Sequence, residues 1–331
     1  MIKIGLIGCG GIAQLHADAI QALSGRCSLK AIFDENDKQA ERFADGLPHL
    51  HVAKTFTEFL EQPLDAVIIG VPNRFHAQYV RAAAERGLAV LCEKPASDTL
   101  EGAYHMQEAV QNAGVVNLIG FENRYRGGVQ RLHKFITSQA LGKVFAYREI
   151  CTGARLVNED IGMEWRMRDS VSGAGAVTDF GSHSMDMATW MLEPVCGPLV
   201  QVYGSLGTFV PHDGTLPNND DMSVLTGRFA SGALLSIFNS RVGPGTYRVE
   251  IMGANGYAAY DASEPDALTI QWYSEDHPEF EANEDIDKRS PFLIQLDTFL
   301  TAIETGQSAQ PDFQTAYKVQ RLLETAIKSP M

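Results

Sequence analysis

Asp179, His183 and Asp186 fall at i, i+4 and i+7 of a stretch patterned as one helix, 175–192, a spacing that puts all three on one face. An imidazole flanked by carboxylates is suited to accept a proton. One carboxylate would orient the ring and the other would bind a substrate hydroxyl. The same trio also fits a solvated, ion-paired helix face, or a metal site made by those side chains. Met185, Met187, Ala188, Trp190, Met191 and Leu192 are apolar, so the helix is expected to be largely buried and its polar face to line a cavity. Lys94 lies in Cys92-Glu93-Lys94-Pro95, directly after an apolar run at 89–92. If that run is a parallel strand, Lys94 stands outside its carboxyl end, where ligands of open α/β sheets bind. An ammonium there stabilises a developing alkoxide or polarises a carbonyl. An ordinary surface lysine before a helix fits the position equally.

A second motif concerns phosphate and ribose. Gly8-Cys9-Gly10-Gly11-Ile12-Ala13 has the form G-x-G-x-x-A, between a strand-like run at 2–7 and a helical pattern. Gly8 permits the tight turn, Gly10 lets the backbone approach a pyrophosphate, and Ala13 allows close helix–strand packing. The N–H groups of Gly11 and Ile12 would meet the anion at the helix N-terminus. Asp34 ends the second strand-like run, about twenty residues on, where a carboxylate accepts from the ribose 2′-hydroxyl and repels a 2′-phosphate. Glu35 and Asn36 add no cation. The motif therefore predicts NAD in preference to NADP.

Val71-Pro72-Asn73 and His76 follow the next apolar strand and would lie beside the cofactor. Pro-Asn is also a common strand-to-helix break, with Asn73 as N-cap. Trp165-Arg166 and Asn123-Arg124-Tyr125 concentrate aromatic and cationic groups near a domain boundary. Clefts between domains are favoured ligand sites, and arginines there equally make structural ion pairs.

These residues need a scaffold. Over the first third, apolar runs at 2–7, 29–33, 51–53, 65–71, 89–92 and 115–119 alternate with helical patterns at 37–44, 75–86 and 99–111 and with the one opened by the glycine turn. Such alternation predicts a doubly wound parallel sheet with right-handed crossovers. The pattern changes near 121–124. A helix at 128–137, a strand at 143–150 and a long irregular stretch precede 175–192. Strand-like runs follow at 199–204, 222–229, 233–239, 247–252 and 257–261, and then helices at 291–305 and 313–327. The expected class is α/β: an N-terminal doubly wound domain, 1–122, and an α+β domain, 123–331, with an antiparallel, meandering sheet. No linker marks the boundary, so the two are expected to pack closely.

Composition narrows the partners. A chain of 331 residues suits two domains, and 45% hydrophobic residues can fill their cores. A net charge of -14 opposes binding to a nucleic-acid backbone or an anionic membrane. No apolar run reaches membrane-spanning length. Cys9, Cys27, Cys92, Cys151 and Cys196 are odd in number and form no Cys-x-x-Cys pair, so neither a disulfide framework nor a thiolate zinc site is expected. With a strand-like start at Met1 and no leader layout, a reducing cytoplasm fits best.

Taken together, the motifs resemble the family of glucose–fructose oxidoreductase and inositol 2-dehydrogenase, the Gfo/Idh/MocA family. The resemblance covers nearly the whole chain. It rests on the turn from Gly8 to Ala13, Pro72-Asn73-x-x-His76, Glu93-Lys94-Pro95, Gly120-Phe121, Leu141-Gly142-Lys143-Val144, Trp165-Arg166, Gly173-Ala174-Gly175 and Asp179-x-Gly181-x-His183-x-x-Asp186. Alanine stands where the family's glycine run usually has another glycine. The resemblance implies an NAD-dependent dehydrogenase of sugars, polyols or cyclitols without a catalytic metal. It implies Lys94 at the nicotinamide ribose and reacting oxygen, His183 as general acid/base, and Asp179 on substrate hydroxyls. It further implies a Rossmann first domain, a large, open-faced mixed sheet in the second, a proline at 95 preceded by a cis peptide, and a homodimer or homotetramer formed through that sheet. Two other activities occur among such proteins: NAD-dependent glycoside cleavage through transient oxidation, and cofactor sensing without catalysis. Intact Lys94, Asp179 and His183 argue against the sensor.

Overall fold

A computed structural model describes residues 1–47, 49–280 and 287–329. It divides into two compact units, Met1–Glu122 with Arg289–Gln320, and Asn123–Lys288 with Arg321–Met331.

The first unit runs β1 (Ile2–Ile7), α1 (Gly11–Ala22), β2 (Cys27–Phe33), α2 (Asp37–Ala44), β3 (His51–Val52), α3 (Phe56–Leu60), β4 (Ala66–Ile69), α4 (His76–Glu85), β5 (Ala89–Cys92), α5 (Leu100–Ala113) and β6 (Asn117–Ile119). The strands form one sheet in the order β3-β2-β1-β4-β5-β6, parallel throughout. β4 and β5 are buried along their whole length, which explains their unbroken apolar sequence: both sheet faces are covered. The order reverses beside β1, so the carboxyl ends of β1 and β4 form the switch point at which such sheets bind ligands.

In the second unit come α6 (Gly127–Thr137), β7 (Val144–Thr152), α7 (Asp169–Ser172), α8 (Ala176–Asp179) and α9 (Gly181–Cys196). β8 (Leu199–Gly207), β9 (Met222–Phe229), β10 (Leu234–Ser240), β11 (Thr246–Gly253), β12 (Gly256–Asp261) and β13 (Thr269–Trp272) follow. Their sheet has the order β13-β12-β11-β7-β10-β9-β8. It is mixed because β10 pairs parallel to β7 while the other pairs are antiparallel. α9 packs on β7, β9 and β10 and is buried along most of its length.

Three expectations change. The strand β13 was not legible, because Thr269–Trp272 carries one aliphatic residue and sits at the sheet edge. The stretch 175–192 is two helices, α8 and α9, separated at Phe180, whose φ of −89° and ψ of −40° stay right-handed. Asp179 therefore ends one helix while His183 lies in the first turn of the next. Finally, 123–331 is not one body. α10 (Pro291–Thr305) belongs to the first unit, where it packs on α1. Leu296, Phe299 and Leu300 join Ile4, Leu6 and Ile20 in one core, and Arg26 reaches Glu304 at 2.6 Å. The unit boundary then runs through α11 (Phe313–Lys328).

Candidate active site

The nucleotide turn is built from backbone. Gly8 has φ +90°, and a Cβ there would stand 2.7 Å from the Gly70 carbonyl oxygen, so only glycine fits. Gly10 is the residue before α1, and neither a side-chain cap nor an acidic first-turn residue serves that helix end. Its leading N–H groups, at Gly11 and Ile12, are therefore served by no side chain among the described residues and suit a phosphate. Ala13 is fully buried. Beside the turn, the Asp34 Oδ2 accepts from the Cys9 N–H at 2.8 Å and from Gln39 Nε2 at 2.9 Å. Its Oδ1 accepts from the Asn36 N–H at 2.8 Å. These bonds hold the carboxylate at the end of β2, where the ribose reading needs it. Burial, with the charge of Asp34 adding to it, pushes the Cys9 thiol up to about 12, so the thiol stays protonated at neutral pH. These residues fit a dinucleotide.

Val71 and Pro72 follow β4, and Pro72 leads into a single 3-10 turn, Asn73–Phe75. Asn73 is buried within that turn and does not cap α4, whose start carries no side-chain cap. His76 is fully buried. Its Nε2 stands 2.8 Å from the Val71 carbonyl oxygen, and its Nδ1 stands 3.0 Å and 3.1 Å from those of Pro95 and Ala96. The ring thus ties the end of β4 to the segment after Lys94. Burial lowers its pKa, against the pull of those carbonyls.

Lys94 follows β5 and is half-buried. The Lys94–Pro95 peptide is cis, as the resemblance implied. Glu93 is buried; its Oε2 accepts from the Lys94 N–H at 3.3 Å, and its Oε1 pairs with His16 Nε2 at 2.8 Å. His16 is a residue the sequence reading passed over. It lies in α1, three residues after Ala13, and its ring packs edge-on to Phe292 of α10. The only sequence signal was a histidine on an otherwise apolar helix face.

In the second unit, His183 is 6% exposed. Asp179 is half-buried and lies in the field of the Arg166 and Arg241 guanidiniums. Asp186 departs from expectation. It is 1% exposed, and Arg124 grips both its oxygens, Nε to Oδ2 at 2.7 Å and Nη2 to Oδ1 at 2.5 Å. That fork commits Asp186 and Arg124 to each other. Arg124 also lies over the Trp190 ring at 5.0 Å. Trp190 also stacks on His133 at 3.8 Å. Burial and Arg124 push His133 down to about 4. Tyr125 is buried beside Arg124 in a 3-10 turn. Arg166 is half-buried and lies over Trp165 at 4.2 Å.

A further cluster, also missed, fixes the approach to Asp179. Asp220 accepts the N–H groups of Gly175 and Val177 at 2.6 Å and 2.8 Å. A Cβ on Gly175 would lie 1.9 Å from the Asp220 carbonyl oxygen. Arg241, 2% exposed, donates to the carbonyl oxygens of Arg166 and Asp220 and to Asn219 Oδ1, at 2.7–2.9 Å. Among the described residues, no group of three His, Cys, Asp or Glu side chains is placed to hold a metal ion. All five cysteines are buried free thiols, and no described helix is long and apolar enough to cross a membrane.

Comparison with known proteins places these features. The profile described as an oxidoreductase family with an NAD-binding Rossmann fold matches residues 2–121, and the GFO/IDH/MocA C-terminal domain matches residues 129–259. Levoglucosan dehydrogenase of Pseudarthrobacter phenanthrenivorans is 25% identical over 99% of this chain and 96% of its own. Myo-inositol 2-dehydrogenase of Thermotoga maritima is 26% identical over 92% of this chain and 89% of its own. A levoglucosan dehydrogenase solved with NADH and levoglucosan has a TM-score of 0.88 at 24% identity, covering 99% of this chain and 96% of that one, a likeness of fold.

Proposed function

The chain belongs to the Gfo/Idh/MocA family of NAD-binding oxidoreductases, and from that premise we propose that it is a dehydrogenase acting on a secondary hydroxyl of a sugar, polyol or cyclitol. The observation that supports this is the presence, in one chain, of a glycine turn with Asp34 at the end of β2 and a buried histidine, His183, at the start of α9. Relatives that align over nearly the whole chain are dehydrogenases by name. Neither glycoside cleavage nor cofactor sensing is favoured by them.

Gly8, Gly10, Gly11, Ile12 and Ala13 would hold the pyrophosphate and Asp34 the ribose, with Val71, Pro72, Asn73, His76 and Glu93 shaping the adjoining wall. Bound NAD supplies the hydride acceptor. His183 takes the hydroxyl proton onto its imidazole as the C–H bond gives up its hydride, leaving a carbonyl. Lys94 stabilises the negative charge that develops on oxygen. Asp179, braced by its arginines, holds a neighbouring hydroxyl. Tyr125, Trp165 and Arg166 supply the remaining substrate contacts. Arg124 acts indirectly, through Asp186. Reduction runs the same proton and hydride transfers in reverse.

The assembly is a homodimer or homotetramer. Val224, Phe238 and Ile150 lie in register across β9, β10 and β7 on the face of the sheet away from α9. Nearby Tyr203 and Leu234 are 41% and 48% exposed, an apolar area suited to a second copy. Five buried thiols suit a reducing cytoplasm.

The test is cofactor reduction by purified protein, with NAD and NADP offered separately against inositols, aldoses and anhydrosugars. NAD reduction with a member of the panel is the expected result. A preference for NADP would overturn the role of Asp34 but not the reaction. NAD bound with no reduction across the panel would overturn the dehydrogenase reading.

A further inference from the structure

Gln39 has no part in the steps above, yet its side chain stands at the cofactor turn. Asn36 and Gln39 have the spacing of a capping box, in which the glutamine of the first helical turn reaches back to the backbone N–H of the capping residue. Half of that box forms: the Asn36 side chain accepts from the Gln39 N–H at 3.4 Å. The other half is diverted. The Asn36 N–H donates to Asp34 Oδ1 at 2.8 Å, and the Gln39 amide donates to Asp34 Oδ2 at 2.9 Å. A Cβ on Gly10 would lie 3.9 Å from the Gln39 Nε2, so the amide borders the glycine turn as well as the carboxylate. Glu35, the other acid beyond β2, is bound by the Tyr79 hydroxyl at 3.2 Å.

An ionised carboxylate offers about four lone-pair sites. The N–H groups of Cys9 and Asn36 and the Gln39 amide occupy three of those on Asp34. Two of the three donors are backbone, and Gln39 is the one that a substitution can change. All three are neutral, so they fix the carboxylate without cancelling its charge. We propose that Gln39 is a specificity-determining residue for the dinucleotide: its neutral amide, bound to Asp34 beside Gly10, holds the carboxylate in place for a ribose hydroxyl and withholds the cation that a 2′-phosphate requires. The inference rests on the ribose role given to Asp34 above. A guanidinium at position 39 would bind the same oxygen, cancel its charge and keep further donors for a phosphate.

The experiment is a calorimetric titration of the full-length protein with NAD and, separately, with NADP, in wild type, Q39L, Q39R and D34A. Q39L is expected to weaken NAD binding by about three- to tenfold and to leave NADP binding as it was. Q39R is expected to narrow the preference for NAD by about tenfold or more, through tighter NADP binding. A ratio of the two dissociation constants unchanged from wild type in either variant overturns the inference, and equal weakening of both dinucleotides, the mark of a merely structural role, is such a result. D34A separates this outcome from the reading beneath it. If D34A loses the preference while a Gln39 variant keeps it, the role of Gln39 alone is overturned. If D34A keeps the preference, the role of Asp34 falls and that of Gln39 with it. The titration needs no turnover, so it is independent of whether the protein oxidises a given substrate.

Discussion

The two units build their halves of the chemistry from different materials. In the first, the nucleotide turn is backbone: a positive-φ glycine, an uncapped helix end, and one carboxylate fixed by a backbone N–H and a short-range glutamine. In the second, the helix proposed to carry the acid–base histidine is set by buried side chains that meet from distant parts of the chain. Arg124 reaches Asp186 across 62 residues, and Asp220 holds Gly175 across 45. A backbone site tolerates most side-chain changes but not a forbidden φ. A side-chain site fails when one partner of a buried pair is lost, because the other stays desolvated and unpaired.

The largest expected effect lies on the chemistry of the second unit. His183→Ala should lower kcat by about 10²–10⁴-fold, the usual contribution of a positioned acid–base group, with NAD affinity near that of wild type. Steady-state turnover and a direct NAD titration check the two halves of that statement. If NAD binding fell as far as turnover, the assignment of separate tasks to the two units would be wrong.

Next is Arg124→Met, which keeps much of the volume of the side chain but leaves Asp186 buried without its fork. The expected loss is about 3–5 kcal/mol of stability, read by denaturant unfolding. Arg124 and Asp186 changed together, to Met and Leu, should recover much of it. A single variant as stable as wild type would show that the pair is not what fixes α9.

How far the sequence was legible follows the same division. The order of strands in the first unit, the glycine turn and Asp34 could be read, because parallel βαβ units and their nucleotide turns are written in contiguous residues; the five-residue α3 could not. Lys94 was placed by its position after the run at 89–92, and the cis proline followed from the resemblance. The break at Phe180 could not be read, because its backbone stays helical and the apolar pattern runs through it. The return of α10 to the first unit could not be read either: its apolar face says that it packs, not on what. The partners of Asp186 and Gly175 depend on residues far apart in sequence. His16 and Arg241 are single polar residues whose importance appears only with Glu93 and Asp220 in place.

The backbone site can be sharpened by its own glycines. Gly8→Ala forces a side chain into φ +90° and against the Gly70 carbonyl. A loss of about 1–3 kcal/mol and weakened NAD binding are expected from thermal unfolding and cofactor titration. Unchanged stability in the Gly8→Ala variant would mean that the turn relaxes and that its geometry is not the constraint.

Gly11→Ala should do the least, and with the opposite sign. Gly11 is the first residue of α1, its φ is not positive, and nothing lies within 4 Å of where its Cβ would be. Replacing a glycine at a compatible helical position removes freedom from the unfolded chain and stabilises by about 0.4–1 kcal/mol. The N–H groups of residues 11 and 12 remain, so NAD affinity should hold while Tm rises slightly. If Gly11→Ala instead weakened NAD binding several-fold with the fold intact, the open space at this position would itself be part of the cofactor site. The contrast drawn between Gly8 and Gly11 would then lie in what each leaves room for, rather than in backbone conformation.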